Sequence, residues 1–259
     1  MSNLTHKDLL DAGVHFGHLT RKWDPRMAPY IFMEKSGIHI LDLHQTLSSL
    51  EEASNAAKNI VRSGRKIMFV ATKKQARALV KEEAERLNMP YVTERWLGGM
   101  LTNFATIRKS LKKMTGIDKL MKEDAFKALA KRERLMKMRE KEKLERLLGG
   151  ISDLTRLPAA LFVIDVKREH IAVAEAKKLN IPVFALCDTN SDPTSVDHVI
   201  PGNDDAYKSV EIITKAFGKA VEEGLMERKQ EKEQKDREKA EEEKRAVDEP
   251  KKEVAEKEA

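Results

Sequence analysis

Short runs of wholly apolar residues alternate with amphipathic segments along most of this chain. The first run, Lys66-Ile-Met-Phe-Val-Ala-Thr72, is followed from Lys73 to about Leu87 by apolar residues at helical spacing. A run without polar alternation is typical of a strand that is buried on both faces. Asn88-Met-Pro90 ends the helix, and Tyr91-Val-Thr93 begins another extended segment. A strand, a helix and a further strand in this order predict a parallel pair with a right-handed crossover.

The second half of the chain repeats this order. The runs at 160–165 and 182–187 are predicted strands, and predicted helices follow them at 168–179 and 204–223. The helical spacing in the first of these helices is carried by Ile171, Val173, Ala174 and Leu179. Together the two halves predict an α/β fold with a doubly wound, mostly parallel sheet.

Upstream of the first buried strand, the sequence predicts one helix and one hairpin. The helix spans about 44–63 and has apolar residues at helical spacing. Tyr30-Ile-Phe32 and Ile38-His-Ile-Leu41 lie on either side of Ser36-Gly37, which predicts an antiparallel hairpin at an edge of the sheet.

Residues 103–148, between the two halves, differ in composition from the rest of the chain. Their apolar spacing predicts two helices that form an antiparallel coiled-coil hairpin, with a turn near Lys122–Asp124 and a second arm from about Ala125 to Leu148. The predicted seam residues are Ile107, Leu111, Met114, Ile117 and Met121 in the first arm and Phe126, Leu129, Met136, Leu144 and Leu147 in the second. Residues 106–148 hold 15 basic and 7 acidic side chains, and so concentrated a positive charge attracts polyanions.

Composition and charge exclude several classes of protein. The single cysteine, Cys187, excludes a disulfide framework and is interpreted as a buried small hydrophobe. No apolar run approaches the ~18 residues of a membrane span, and the first residues lack the apolar core of a secretory signal, so the cytoplasm is the expected location. Residues 227–259 have 24 charged side chains of 33, which predicts a disordered or partly helical tail. The predicted domains are a sandwich of 1–105 with 150–226, a hairpin insertion at 106–149, and this tail.

The chain lacks the loops by which α/β folds commonly bind nucleotides. No G-x-G-x-x-G follows a strand, and no G-x-x-x-x-G-K-[ST] occurs. After the first buried strand come Lys73, Lys74 and Gln75, whose side chains block close approach of a pyrophosphate to the backbone. Two lysines at a helix N-terminus form an anion site that suits a nucleic-acid phosphate. Ordinary surface lysines are the alternative interpretation.

Acidic residues and one histidine are expected near the carboxyl edge of the sheet. Asp165 and Asp188 end two predicted strands, and Asp204-Asp205 begin a helix. In a doubly wound fold, ligands bind at that edge, where these carboxylates would hold a cation or serve as acid and base. The alternative is that they cap the helix and the loops. His18, Asp188 and Asp205 are the candidate metal ligands, and whether a metal binds stays open.

Two loops combine cations with an indole. Thr20-Arg-Lys-Trp-Asp-Pro-Arg26 places three cations beside Trp23, and Arg95-Trp-Leu-Gly-Gly-Met-Leu-Thr-Asn103 places a cation and two glycines beside Trp96. Arginine and lysine contact phosphates, and an exposed indole stacks on an unpaired base. For each tryptophan, packing against the sheet is the alternative.

Several motifs follow one another in the order found in one family. They are Gly13-Val-His-Phe-Gly-His18, Arg21-Lys-Trp-Asp-Pro25, Phe69-Val-Ala-Thr-Lys-Lys-Gln75, the loop Arg95–Asn103, Leu157-Pro-Ala-Ala-Leu-Phe-Val-Ile-Asp165, Asp188-Thr-Asn190 and Ile200-Pro-Gly-Asn-Asp-Asp-Ala206. In these motifs the chain resembles the bacterial-type small-subunit ribosomal protein S-two family, over roughly residues 5–225. The resemblance implies a flavodoxin-like or Rossmann-like three-layer α/β/α sandwich that carries a coiled-coil hairpin.

The resemblance also implies a function. It implies a structural constituent of the small ribosomal subunit that is not an enzyme and needs no cofactor. The implied partners are small-subunit ribosomal RNA and neighbouring ribosomal proteins, among them the messenger-binding protein S-one. The residues predicted to bind RNA are Arg21, Lys22, Trp23, Arg26, Lys73, Lys74, Arg95, Trp96, Asn103, Arg108 and Lys109. Two alternatives stay open: an enzyme that uses Asp165, Asp188 and Asp205, and an adaptor that docks on a protein through the hairpin alone.

Overall fold

Five parallel strands form the central sheet of the computed structural model, which describes residues 4–123, 126 and 129–257. The strands are β4 (Ile67–Val70), β5 (Tyr91–Val92), β6 (Ala160–Ile164), β7 (Val183–Cys187) and β8 (His198–Pro201). Their spatial order is β5-β4-β6-β7-β8. This is the strand order of flavodoxin-like folds, and it confirms the predicted α/β class.

Helices cover both faces of this sheet. They are α1 (His6–Asp11), α2 (Leu43–Arg62), α3 (Lys74–Arg86), α4 (Phe104–Lys122), α5 (Lys131–Leu148), α6 (His170–Lys178) and α7 (Tyr207–Lys257). On one face, α1, α2, α3 and α7 pack around Phe69, Phe162 and Phe184 of the sheet. On the other face, α6 and the base of α4 and α5 pack on Met68, Val163 and Ala185, because successive strand residues point to opposite sides. No helix in these ranges is long and apolar enough to cross a bilayer.

A second, smaller sheet precedes the central one. It consists of β1 (Phe16–Leu19), β2 (Ile31–Lys35) and β3 (Ile38–Leu41), which are antiparallel in the order β1-β3-β2. The hairpin around Ser36 and Gly37 is confirmed, and both turn residues have positive φ. It belongs to this separate sheet and not to an edge of the central one, which corrects the prediction. The strand β1 was not predicted.

The strand β8 and the core-facing side of α6 also differ from prediction. β8 is short and contains His198 and Pro201, so it lacks the apolar run that marks the other strands. On α6, Ile171 and Leu179 are exposed, whereas Ala172, Val173, Glu175 and Ala176 are buried. The helix was predicted correctly, but Ile171 and Leu179 were wrongly expected to face the core. The side that packs against the core contains a buried glutamate instead.

The last helix continues well beyond its predicted end near residue 223. Gly224 lies where α7 approaches α2 most closely, since a Cβ at this glycine would lie 2.8 Å from the carbonyl oxygen of Lys58. The Lys58 ammonium is 2.7 Å from a Glu227 carboxylate oxygen, and Arg62 pairs with Glu231. The glycine therefore serves helix packing and does not end the helix, which extends to Lys257.

The inserted helices α4 and α5 lie side by side. Ile107, Leu111, Met114 and Ile117 are buried, as the seam predicted. The second helix begins at Lys131 and not near 125; residues 124, 125, 127 and 128 of the predicted turn and helix lie outside the described residues. Met136 is 61% exposed, so its predicted place in the seam is wrong. In the outer halves of α4 and α5, ion pairs join the two helices, from Lys113 to Glu140 and from Lys141 to Asp118. Coiled-coil packing and the division into domains stay predictions.

Candidate nucleic-acid interface and the adjoining ionic cluster

The carboxyl edge of the central sheet brings together most of the predicted site residues. The parallel strands all end at this edge, so the segments 71–74, 93–103, 165–169, 188–192 and 202–205 lie along it. The small N-terminal sheet is attached there by hydrogen bonds to Thr189. The His18 N–H donates to its hydroxyl at 2.8 Å, and the Asp24 N–H donates to its carbonyl oxygen at 2.8 Å. The loop 20–26 therefore lies beside the ends of β7 and β8.

Lys73 occupies the inside of this edge. Its ammonium is 2.7 Å from an oxygen of Asp204, 2.6 Å from one of Asp205 and 3.7 Å from one of Asp165. Burial lowers the pKa of Lys73, but the two nearer aspartates outweigh it, so the pKa lies above its ordinary value and the ammonium stays charged. Lys73 is only 8% exposed and its ammonium is surrounded by aspartates, which disfavours the predicted contact with an RNA phosphate.

His18 closes the other side of the cluster. Its Nδ1 is 2.9 Å from an Asp188 oxygen, and this hydrogen bond raises the pKa of His18 above its ordinary value in spite of burial. Burial, followed by repulsion from Asp188 and Asp165, raises the pKa of Asp204 to about 7. One Asp204 oxygen is bonded to Lys73, whereas its Oδ2 is buried without a hydrogen-bond partner.

This geometry changes the set of candidate metal ligands. One ligand atom from each of His18, Asp188 and Asp204 lies within 4.8 Å of the others. An imidazole with two carboxylates suits zinc and similar divalent ions. Asp205, which the sequence put forward, is about half exposed, with one oxygen 2.6 Å from the Lys73 ammonium and the other 3.3 Å from His18 Nε2. Asp204 is fully buried with an unpartnered Oδ2, so it fits the set better. Two adjacent aspartates cannot be distinguished from sequence, because only the fold shows which one points inward.

The crevice between β4 and β6 is filled by protein side chains. In folds with this strand order, ligands bind at the point where the order reverses, outside the carboxyl ends of these two strands. Here Glu169 is buried and accepts a hydrogen bond at 2.9 Å from the Thr72 N–H and another from its hydroxyl. Arg168 donates to the same hydroxyl at 2.8 Å. Burial raises the pKa of the Cys187 thiol, so this side chain is an inert part of the core. These contacts disfavour a nucleotide or catalytic site at this point.

The loop 20–26 presents its cations and its indole to the outside. Arg21 and Lys22 are exposed, and Trp23 is 37% exposed. The ring centroids of Trp23 and His39 are 5.0 Å apart, so the indole rests on the small sheet. Arg26 is exposed as well and pairs with Asp192.

The loop 95–103 buries its indole, whereas the loop 20–26 exposes its own. Trp96 is 6% exposed, and its Nε1–H donates to a Glu175 carboxylate oxygen at 3.1 Å. The same carboxylate accepts backbone N–H bonds from Gly99, Leu101 and Thr102 at 2.7, 2.9 and 3.0 Å. Burial acts to raise the pKa of Glu175, but these hydrogen bonds outweigh it and lower the pKa below its ordinary value. Trp96 is therefore a core residue, which is the alternative that the sequence left open and which disfavours a contact with RNA.

Glu175 holds the loop 95–103 in place, a structural role that sequence reasoning missed. The only signal was an acidic residue among Ala172, Val173 and Ala176 on one helix face. Of the other predicted residues, Lys74, Arg95, Asn103, Arg108 and Lys109 are all exposed. Asn103 precedes α4 and accepts a hydrogen bond from the Thr106 hydroxyl at 2.9 Å.

Comparison with known proteins gives a consistent answer. The family model described as Ribosomal protein S2 matches residues 9–224. Small ribosomal subunit protein uS2 of Cytophaga hutchinsonii is 70% identical over 230 residues, which cover 89% of this chain and 91% of that protein. The protein of the same name from Flavobacterium johnsoniae is 62% identical over 227 residues, 88% of this chain and 89% of the relative. That of Parabacteroides distasonis is 59% identical over 232 residues, 90% of this chain and 84% of the relative.

Proposed function

This chain belongs to the ribosomal protein S2 family, and from that premise we propose that exposed cations on the carboxyl edge and on α4 bind small-subunit ribosomal RNA. The chain is a structural constituent of the small ribosomal subunit and not an enzyme. It is associated with the ribosome in the cytoplasm, as the sequence analysis predicted. Membership of the family supports ribosomal RNA as the partner. The positions of the exposed cations support this surface as the binding site.

The observation that carries the proposal is a set of cations without acidic partners. They are Arg21, Lys22, Lys74, Arg95, Arg108 and Lys109, which are exposed and form no ion pair within the described ranges. By contrast, Lys73 and Arg77 are paired with acidic residues. An unpaired cation can neutralise a phosphate and release the counterion bound there, which is the main source of affinity for nucleic acids.

Arg26 also stays in the proposed interface. Its guanidinium is 58% exposed, and an ion pair so exposed contributes little, so a phosphate can compete with Asp192 for it. Asn103 is included because its amide is exposed at the start of α4. Lys73 and Trp96 are left out, since both are buried and have internal partners.

The experiment is a salt titration of RNA binding with the purified full-length chain and a small-subunit rRNA transcript. Each phosphate contact contributes roughly 0.7 to 0.9 to the slope of log affinity against log salt. Lys22→Gln and Lys74→Gln are each expected to reduce that slope by about 1. Lys215→Gln is the matched control, because Lys215 is exposed on α7 and paired with Glu211. Unchanged slopes for both test variants would contradict the proposed surface.

We further propose that the small N-terminal sheet contacts a neighbouring ribosomal protein. Phe32 on β2 is 71% exposed, and Met33 and Phe16 on the same sheet are about half exposed. Phe32 and Met33 are consecutive on β2 and therefore lie on opposite faces of the sheet, so the proposal rests on Phe32, the most exposed of the three. Ribosomal protein S-one is the partner that the family resemblance implies. Phe32→Ser is expected to weaken its binding to the intact chain, with Met226→Ser on α7 as the control, because Met226 is exposed elsewhere; equal binding by both variants would contradict this.

A specific observation also favours a structural divalent ion, bound by His18, Asp188 and Asp204. The unpartnered Asp204 Oδ2 is buried, and a buried carboxylate oxygen without a donor is stabilised when a cation binds it. Titration calorimetry of the intact chain with zinc chloride is expected to show one site, with protons released on binding. Asp204→Asn should abolish the site while Asp153→Asn, an exposed control, retains it. A heat of zinc addition that does not saturate would contradict the proposal.

A further inference from the structure

A hollow of about 530 Å³ lies between the loop 20–26, helix α6 and the loop that follows β7. Volumes of 300–1,000 Å³ are typical of pockets that hold small molecules. The residues that matter here are Lys22, Trp23, Lys167, His170, Val173 and Lys177. Asn190 also lines the hollow, and its amide nitrogen is 3.2 Å from His18 Nε2, so the hollow adjoins the candidate metal site without sharing its three ligands.

The hollow combines an apolar wall with three unpaired lysines. Asp24 and Asp192 also line it, but the Asp192 carboxylate pairs with Arg26 and the Asp24 carboxylate accepts the Arg26 N–H. Val173 is buried, and together with Ala174 and the indole of Trp23 it lines the apolar part. Lys22, Lys167 and Lys177 are exposed and form no ion pair with any residue that the structure describes. A ligand that is both flat and anionic is therefore complementary to this surface.

The indole is held in place before any ligand binds. The backbone on either side of it is fixed, since the Trp23 N–H donates to the Thr20 carbonyl at 3.4 Å and the Asp24 N–H donates to the Thr189 carbonyl at 2.8 Å. His39 supports the ring at a centroid distance of 5.0 Å. A stacking surface that is already ordered loses little conformational entropy on binding.

We infer that this hollow binds a single unpaired nucleotide of RNA, with the base on the Trp23 indole and the flanking phosphates on Lys22, Lys167 and Lys177. Stacking on an aromatic ring accepts any base, and lysines supply the contacts to the backbone. The inference rests on the proposed RNA-binding function and adds to it a single-stranded subsite. It also adds two cations, Lys167 and Lys177, that the sequence analysis did not include.

The test uses the intact chain and a fluorescently labelled hexamer of adenylate, with binding measured by anisotropy. Trp23→Ala is expected to weaken binding by about tenfold, whereas Trp23→Phe retains most of it because a ring remains. Lys177→Gln is expected to weaken binding severalfold. Lys178→Gln is the matched control, since Lys178 is exposed on the same helix but does not line the hollow.

Two results would overturn the inference. One is hexamer binding that is equal in the parent chain, Trp23→Ala and Lys177→Gln; the other is displacement of the hexamer by an acidic peptide with higher affinity. Binding of the rRNA transcript separates this failure from failure of the proposed function. If the parent chain binds the transcript with the expected salt slope but does not bind the hexamer, the interface stands and the nucleotide subsite does not. If the parent chain does not bind the transcript, the proposed function itself fails.

Discussion

The loops 20–26 and 95–103 have similar compositions and opposite structures. Each places an arginine or lysine directly beside a tryptophan at the carboxyl edge of the sheet. Trp23 is exposed on the outside of the molecule, whereas Trp96 is buried and bonded to Glu175. The difference lies in a residue far away in sequence, since an indole N–H is buried readily only when it finds an acceptor. A cation beside an indole therefore does not by itself identify a nucleic-acid contact.

The largest expected effect separates the two indoles directly. Trp96→Ala removes a buried ring and leaves a cavity, so we expect the free energy of unfolding to fall by about 4 kcal/mol. Trp23→Ala removes a partly exposed ring and should cost about 1 kcal/mol or less. Urea denaturation of both variants measures the difference. Similar losses in the two variants would show that the loops are not organised differently.

Two adjacent lysines provide a second contrast of the same kind. Lys73→Gln leaves Asp204 and Asp205 without their ammonium, and we expect the free energy of unfolding to fall by about 3 kcal/mol. Lys74→Gln, one residue further on an exposed position, is expected to change stability by less than about 0.5 kcal/mol. Thermal and urea denaturation give both values. Equal stabilities would mean that Lys73 is not an internal residue.

The Glu175 carboxylate holds the loop 95–103 in place, so its removal should loosen that loop. Glu175→Gln keeps the size of the side chain but removes its charge and one acceptor oxygen, so we expect a loss of about 2 kcal/mol in the free energy of unfolding. Hydrogen exchange at Gly99, Leu101 and Thr102 should become faster. Glu142→Gln, at an exposed position on α5, is the control and should change neither quantity.

The smallest expected effect is a pH dependence. The pKa of Glu175 is below its ordinary value of 4.5 in the folded chain, because its hydrogen bonds outweigh burial. A lowered folded pKa stabilises the fold above the unfolded value, and this stabilisation is lost as the pH falls through the folded value. Between pH 6 and pH 3 the free energy of unfolding of the parent chain should therefore fall by more than that of Glu175→Gln. Parallel curves for the two proteins would contradict this.

The central sheet was predictable because its signals are local. The apolar runs before Lys73 and at 160–165 required strands buried on both faces, and the helices between them followed from periodicity. β1 and β8 were missed because Gly17, His18, His198 and Pro201 interrupt any such run. The end of α7 was predicted near 223, but the helix continues through Gly224, where the absence of a side chain permits close packing on α2.

The candidate site was only partly predictable for a different reason. Exposed cations such as Lys22 and Arg108 were identified correctly as exposed, since charge alone favours the surface. Lys73 and Trp96 were not, because their partners, Asp204 and Glu175, are more than 75 residues away in sequence. Burial of a polar side chain depends on partners that only the folded chain brings together, and no pattern near Lys73 or Trp96 contains that information.

The pairing of β4 with β6 has a consequence for how the chain is made. Ile67 lies opposite Ala160, so about 90 residues, including both inserted helices, must be synthesised between the two strands. At bacterial elongation rates of 5–20 residues per second, this interval lasts roughly 5–20 s. During that time a nascent chain that has formed β4 and β5 has the inner edge of β4 open as well as the outer edge of β5, and an open strand edge is prone to aggregation. Chaperone capture of ribosome-bound chains should accordingly be strongest before residue 164 has emerged, and should decline once the edge is closed.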